Sequence, residues 1–354
     1  MQLPENYTEA IRSAWAGRVS GCMLGKAVEL FSMREGHAAL HDYLQATKAL
    51  PLRDYIPFDA KTASKLVLEQ CCKDRMHRSE PDDDINYSVL ALMLLEQHGA
   101  DLTTTDVARA WLKHLPLAST FTAERAAYKT LLERGHEWFP EGHELGFDVT
   151  ECANNRYNDW IGAQIRADLY GWVCPGKPEL AARLAEQDAA LSHREDGVYG
   201  AVWVAALGAL LGGGTSMSEA VVAATGFLPK QSRCAEVIQT AINLQSNPEG
   251  GHIIRDSFGD MSVVHTVNNL GLVVWALLRY SDDFNAAIGE VVTAGLDTDC
   301  NGATVGALWA LQGKPLPAHW SEPWQNRIGV SLAGLSELAL DDLVSRTVSV
   351  AEQL

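Results

Sequence analysis

The sequence predicts an all-α protein built as a single compact multi-helix domain. Three observations carry that expectation. Apolar residues recur three and four apart along most of the chain, capping residues flank those stripes, and period-two alternation is nearly absent. In chain order, Trp15, Val19, Cys22 and Met23 follow Tyr7 at helical spacing. Ile85, Val89, Leu92 and Met93 repeat the pattern behind the acidic run at 82–84. Thr103-Thr-Thr-Asp106 supplies a start signal for a helix over 104–114, because a threonine hydroxyl can accept from the exposed amides of the first turn. Ile161, Ile165 and Leu169 form a further stripe. Pro178-Glu179 opens 178–191, and Ser216-Met-Ser-Glu219 opens 217–225. Val263 to Leu278 is apolar on most faces, as a central helix requires. Gly99, Gly135 and Gly226 are stop signals. The one place for a short hairpin is 252–263, and 135–158 reads as a long loop of the kind that usually carries function.

Composition narrows the partners. The 354 residues include 28 Lys+Arg and 45 Asp+Glu, a net charge of −17. A chain of this length buries about three quarters of its unfolded surface and needs no disulfide staple. With no cluster of basic residues, nucleic acid is excluded as a partner. The seven cysteines include adjacent Cys71 and Cys72 and no CxxC pair, which points to a reducing, cytoplasmic setting. The start of the chain shows no signal peptide. The longest apolar run, 201–211, falls short of the roughly 18–20 residues a membrane span needs, so a soluble protein is expected.

Three short segments are candidates for chemistry. Asp82-Asp83-Asp84 precedes an apolar helix; adjacent carboxylates there either cap the helix, gaining about 0.3–1 kcal/mol each from its dipole, or hold a cation. Asp297-Thr-Asp299-Cys300-Asn301-Gly302 places an Asp-x-Asp at a loop-to-helix junction, again suited to capping or to a hard cation. Gly21-Cys-Met-Leu-Gly25-Lys26-Ala-Val-Glu29 contains a Gly-xxx-Gly, which by itself signals only close helix packing. Arg166 and Asp168 read as either a structural ion pair or ribose contacts. His265 and Asn269 precede and enter the central apolar stretch, as satisfied buried groups or as sugar-hydroxyl partners.

Taken together, the order and spacing of these segments resemble the ADP-ribosylglycohydrolase family over roughly residues 10–312. Asp82 falls on the first Thr of that family's Thr-Asp-Asp-Thr motif, and Asp83 and Asp84 on its two Asp. Asp297 and Asp299 match the pair in the C-terminal Gly-Asp-Thr-Asp-Thr motif, the most specific part, and Glu29 matches a catalytic Glu. A middle stretch, Trp160 to Asp168 followed by Pro175-Gly-Lys-Pro178 and Asp188 to His193, is also similar. The resemblance implies an all-helical fold with two Mg²⁺, or Mn²⁺, ions held by Asp82, Asp83, Asp84, Asp297, Asp299 and Cys300. It further implies catalysis by Glu29, Asp83 and Asp297, with Arg166, Asp168, His265 and Asn269 about the substrate. The implied activity is hydrolysis of a ribosyl bond, removing ADP-ribose from a protein or small acceptor. Cleavage of nucleoside-like ribosides, and a non-catalytic binding or crystallin-like structural role, are the alternatives. Four positions depart from the pattern: Lys26 where Asp is usual, Asp82 for Thr, Ile85 for the second Thr, and Cys300 for Thr or Ser. A thiol is a poor partner for Mg²⁺.

Overall fold

The computed structural model describes residues 3–61, 64–134 and 146–354. Its α-helices are α1 (Tyr7–Lys26), α2 (Glu29–Ala46), α3 (Asp83–His98), α4 (Thr104–His114) and α5 (Thr122–Arg134). They continue as α6 (Asp168–Trp172), α7 (Pro178–Ala189), α8 (Asp196–Gly212), α9 (Met217–Thr225) and α10 (Arg233–Leu244). The chain then forms α11 (Gly250–Ser257), α12 (Thr266–Arg279), α13 (Phe284–Thr293), α14 (Thr298–Ala310) and α15 (Leu340–Gln353). A two-stranded antiparallel ribbon, β1 (Arg327–Gly329) and β2 (Glu337–Ala339), pairs Ile328 with Leu338 ahead of α15. Among the described residues the architecture is all-α apart from this ribbon. No helix among the described residues is long and apolar enough to cross a membrane.

Local signals explain the boundaries. Thr103 and Asp106 close a reciprocal capping box at the start of α4. Pro178 stands in the first turn of α7, where its missing amide costs nothing. Gly99 and Gly226 end α3 and α9, whereas Gly135 lies outside the described residues. Of the expected loop at 135–158, residues 135–145 lie outside them too, and Val149–Ala153 forms a 3-10 turn. The stripe of Ile161, Ile165 and Leu169 is a 3-10 stretch, Ile161–Arg166, followed by α6. The central apolar helix begins at Thr266, later than its hydrophobicity suggests, because the His265 ring Nδ1 accepts from the Val267 amide and caps it. The expected hairpin at 252–263 is instead the end of α11 followed by turns: Gly250 and Gly251 lie against the Trp275 ring, and Ile254 is buried.

The most extensive helix packing among the described residues joins α1 to α14. α14 is buried along its whole length, and α1 lies antiparallel on it. A Cβ on Gly17 would stand 2.2 Å from the Gly306 carbonyl oxygen, one on Gly21 1.9 Å from that of Gly302, and one on Gly25 2.1 Å from that of Thr298. Backbone therefore meets backbone over these turns, a spacing that only glycine on α1 permits. This register sets the last residue of α1 beside the first residues of α14.

Candidate active site

Two turns present the acidic residues. Gly295 and Leu296 both take positive φ, +83° and +62°, and deliver Asp297 to the start of α14. For Leu296 that conformation is strained; the Ser32 hydroxyl, donating to its carbonyl at 2.9 Å, helps to hold it. Thr298 Oγ1 donates to the Gly25 carbonyl at 2.9 Å and joins the turn to α1. Across the cavity, Asp82 caps α3 by accepting from the Asp84 amide at 2.9 Å. Asp297 precedes α14 without making a side-chain cap, so capping accounts for Asp82 but not for Asp297.

The result is a cavity of about 370 Å³ with two kinds of wall. Lys26, Glu29, Asp82, Asp83, Asp297, Asp299 and Cys300 form the polar side. Met33, Phe121, Trp160, Ile161, Ile165 and Val264 supply the apolar side. Carboxylate oxygens of Glu29, Asp297 and Asp299 lie within 4.8 Å of one another. A second group within the same span joins Asp84, Asp299 and the Cys300 sulfur, and a third joins Cys22, Asp82 and Asp84. Asp83 lines the cavity but enters none of these groups among the described residues.

Electrostatics separates these carboxylates into paired and unpaired ones. Burial opposes ionisation of Asp82, but the Lys26 ammonium bonded to it holds its carboxyl below the usual range. Arg18, fully buried, donates to the Asp84 carboxylate at 3.1 Å, to the Asp84 carbonyl at 2.7 Å, and to Asp168. Among the described residues, Glu29, Asp83, Asp297 and Asp299 form no ion pair of their own. Burial, then Asp299, pushes Glu29 up to about 10. Burial and neighbouring carboxylates raise Asp83 and Asp297 well above their ordinary range, and raise Asp299 as well. Oδ1 of Asp299 is buried without a hydrogen-bond partner. Convergent hard oxygens, mutual repulsion and an orphaned buried acceptor are what a divalent cation relieves, so Glu29, Asp297 and Asp299 fit such an ion. The Asp82 side already holds a cation of the protein's own.

Four residues expected about the substrate are placed elsewhere. Arg166 is buried, bonding Asp188 at 2.6 Å, Glu124 at 2.7 Å and the Ser192 hydroxyl at 2.8 Å. A buried guanidinium needs all its donors met, and these acceptors use the fork that a ribose would need. Of its partners, Glu124 reaches the cavity wall. Asp168 is fully buried on Arg18. His265 caps α12 and contacts Asp159 through its other nitrogen at 3.1 Å. Asn269 is buried, donating to the Val263 and His265 carbonyls at 2.9 and 2.8 Å. Its Oδ1 accepts from the Asp297 amide at 3.2 Å and from Asn301 at 2.7 Å. It positions the Asp297 turn and the 262–264 wall and does not line the cavity. Arg18 is not among the residues that the sequence singles out, and Asn301 stands in the C-terminal motif without a role; the signal for Arg18 was a lone charge inside the apolar stripe of α1.

Comparisons with known proteins bear on the fold and the family. No curated protein sequence matches the chain significantly. Among solved structures, a chain of an "ADP-ribosylglycohydrolase-related protein complex" is similar in fold, with a TM-score of 0.62 and 13% identity over 99% of each chain. The family model described as ADP-ribosylglycohydrolase matches residues 3–351. Spanning almost its whole length, that match means the chain belongs to the ADP-ribosylglycohydrolase family.

Proposed function

We propose that the protein is a divalent-cation-dependent glycosidase that hydrolyses a ribosyl bond, releasing an ADP-ribosyl group from its acceptor. The observation that carries this reading is the convergence of Glu29, Asp297 and Asp299 on one cavity that also has an apolar wall. Bound there, Mg²⁺ or Mn²⁺ would supply a Lewis-acid hold on ribose hydroxyls and on water. The remaining chemistry belongs to the chain. Cleavage of an anomeric bond develops positive charge at the sugar, which Asp83 and Asp297 face and stabilise. Glu29, at the first residue of α2, can accept a proton from the attacking water through the carboxylate oxygen that does not face the ion. Trp160, Ile161, Ile165 and Phe121 exclude water on the opposite side and offer flat surface for a base.

One observation favours a smaller substrate. Among the described residues, Lys26 is the only Lys or Arg lining the cavity, and it is already paired with Asp82. A diphosphate would depend on bound metal for its countercharge, whereas a neutral riboside would not. Chromatography of sugar released from ADP-ribosyl-arginine peptides, ADP-ribosyl-serine peptides and plain nucleosides separates the two, run with Mg²⁺, with Mn²⁺ and with EDTA. Metal-dependent release from one class identifies it. Release that survives EDTA removes the metal from the mechanism. No release from any member supports a non-catalytic binding or structural role.

A further inference from the structure

We propose that the Lys26 ammonium takes the place of one of the two divalent cations, so that the chain binds a single divalent ion between Glu29, Asp297 and Asp299. The inference rests on the metal-dependent reading above and deepens it.

Geometry is the first support. Lys26 is the last residue of α1, and its backbone is pinned there by the contact of Gly25 with Thr298 and by the Thr298 hydroxyl on the Gly25 carbonyl. Its ammonium reaches across the cavity and bonds Asp82, with side chains 18% and 2% exposed. It therefore stands between the acidic residues ahead of α3 and those at the start of α14. A divalent ion shared by those two groups would have to occupy that space against the repulsion of the ammonium.

The paired substitutions are the second support. Lys26 stands where the resembled pattern has Asp, and Asp82 where it has a neutral Thr. Two of the four residues that depart, far apart in sequence, are bonded to each other. Asp, Thr and a divalent ion differ from Lys and Asp by a single unit of charge, so the exchange nearly conserves local electrostatics. Oδ1 of Asp299 and Oδ2 of Asp84 are nevertheless buried without hydrogen-bond partners. The two groups that contain Asp299 share that residue, so one ion held by Asp299 can serve both.

The test is a count of bound Mn²⁺ on the full chain, read from loss of the free-ion paramagnetic resonance signal at saturation. The wild type is expected to bind one ion per chain. Lys26→Met, which keeps bulk and removes charge, should bind two, and Lys26→Arg should remain at one. Two ions on the wild type would overturn the proposal while leaving the glycosidase reading in place. One ion on a folded Lys26→Met, checked by circular dichroism, would also overturn it. Should Lys26→Met not fold, the double variant Lys26→Asp, Asp82→Thr supplies the same comparison: two ions support the inference, and one removes it. A wild type that binds no Mn²⁺ would overturn metal dependence itself, an outcome distinct from a count of two.

Discussion

The contact of α1 with α14 creates the site, and Gly21→Ala tests it directly. The added methyl would stand 1.9 Å from the Gly302 carbonyl oxygen and 2.4 Å from its carbon. Both neighbours are backbone, so no side chain can rotate to make room. Restoring ordinary contact at about 3.4 Å requires the helices to part by roughly 1.5 Å, with an overpacking cost at the upper end of the usual range, about 3 kcal/mol. For a chain of this size that lowers Tm by roughly 4 °C. The same displacement carries Asp297 and Asp299 away from Glu29, so Mn²⁺ affinity should fall at least about tenfold, or ~1.4 kcal/mol. Calorimetry in EDTA reads the first effect, and an Mn²⁺ titration the second. Gly212→Ala is the control, because a Cβ there meets Pro175 at 3.6 Å, an ordinary contact; its Tm should stay within about 1 °C of wild type. A Gly21→Ala protein with the wild-type Tm and wild-type Mn²⁺ affinity would refute the claim that backbone contact sets the site.

Other substitutions address the site from different sides. Asp297→Asn should abolish sugar release while the metal-free chain melts at or above the wild-type temperature, because one of several repelling buried carboxylates is gone; retained turnover would contradict its assignment as a ligand. Cys300→Thr should leave turnover intact and tighten Mg²⁺, since oxygen replaces sulfur, and an inactive variant would show that the thiol has a role of its own. Asn269→Ala, by loosening the Asp297 turn, should lower metal affinity and cost about 1–3 kcal/mol of stability for the amide and carbonyls left unpaired. Unchanged metal binding in that variant would remove its positioning role. His37 supplies a pH test: burial, then Arg255, lowers it from 6.5 to about 4. The folded state thus favours its neutral form, so this contribution to stability is present above about pH 6.5 and lost as pH falls toward about 4. His37→Gln should flatten the Tm profile across that window, and an unaltered profile would mean that His37 does not contribute.

Much of the helical framework was legible because its signals are local. Thr103 and Asp106 are three residues apart, and each satisfies a backbone group of the other's turn. Pro178, Ser216 and Gly226 likewise mark ends of helices through their own backbone chemistry. The ribbon at 327–339 was not legible, since strands of three residues show no alternation. α11 was hidden because its two glycines resemble a turn until the Trp275 ring is laid on them. Acidic residues of the site were legible by type and spacing. Their division into paired and unpaired groups was not, because Arg18 and Lys26 pair with residues 66 and 56 positions away.

From the sequence alone came the helical class, most helix starts and the residue types able to hold a cation, since each depends on neighbours within about one turn. The tertiary structure decided which carboxylates face one another. It buried Arg166 and Asp168 in ion pairs, and turned Asn269 from a sugar partner into the support of Asp297. The facing of the carboxylates depends on a register between α1 and α14 set by backbone contacts at Gly17, Gly21 and Gly25. The partners lie far apart along the chain, so the Coulomb and hydrogen-bond terms that assign each side chain its role exist only once the helices have packed.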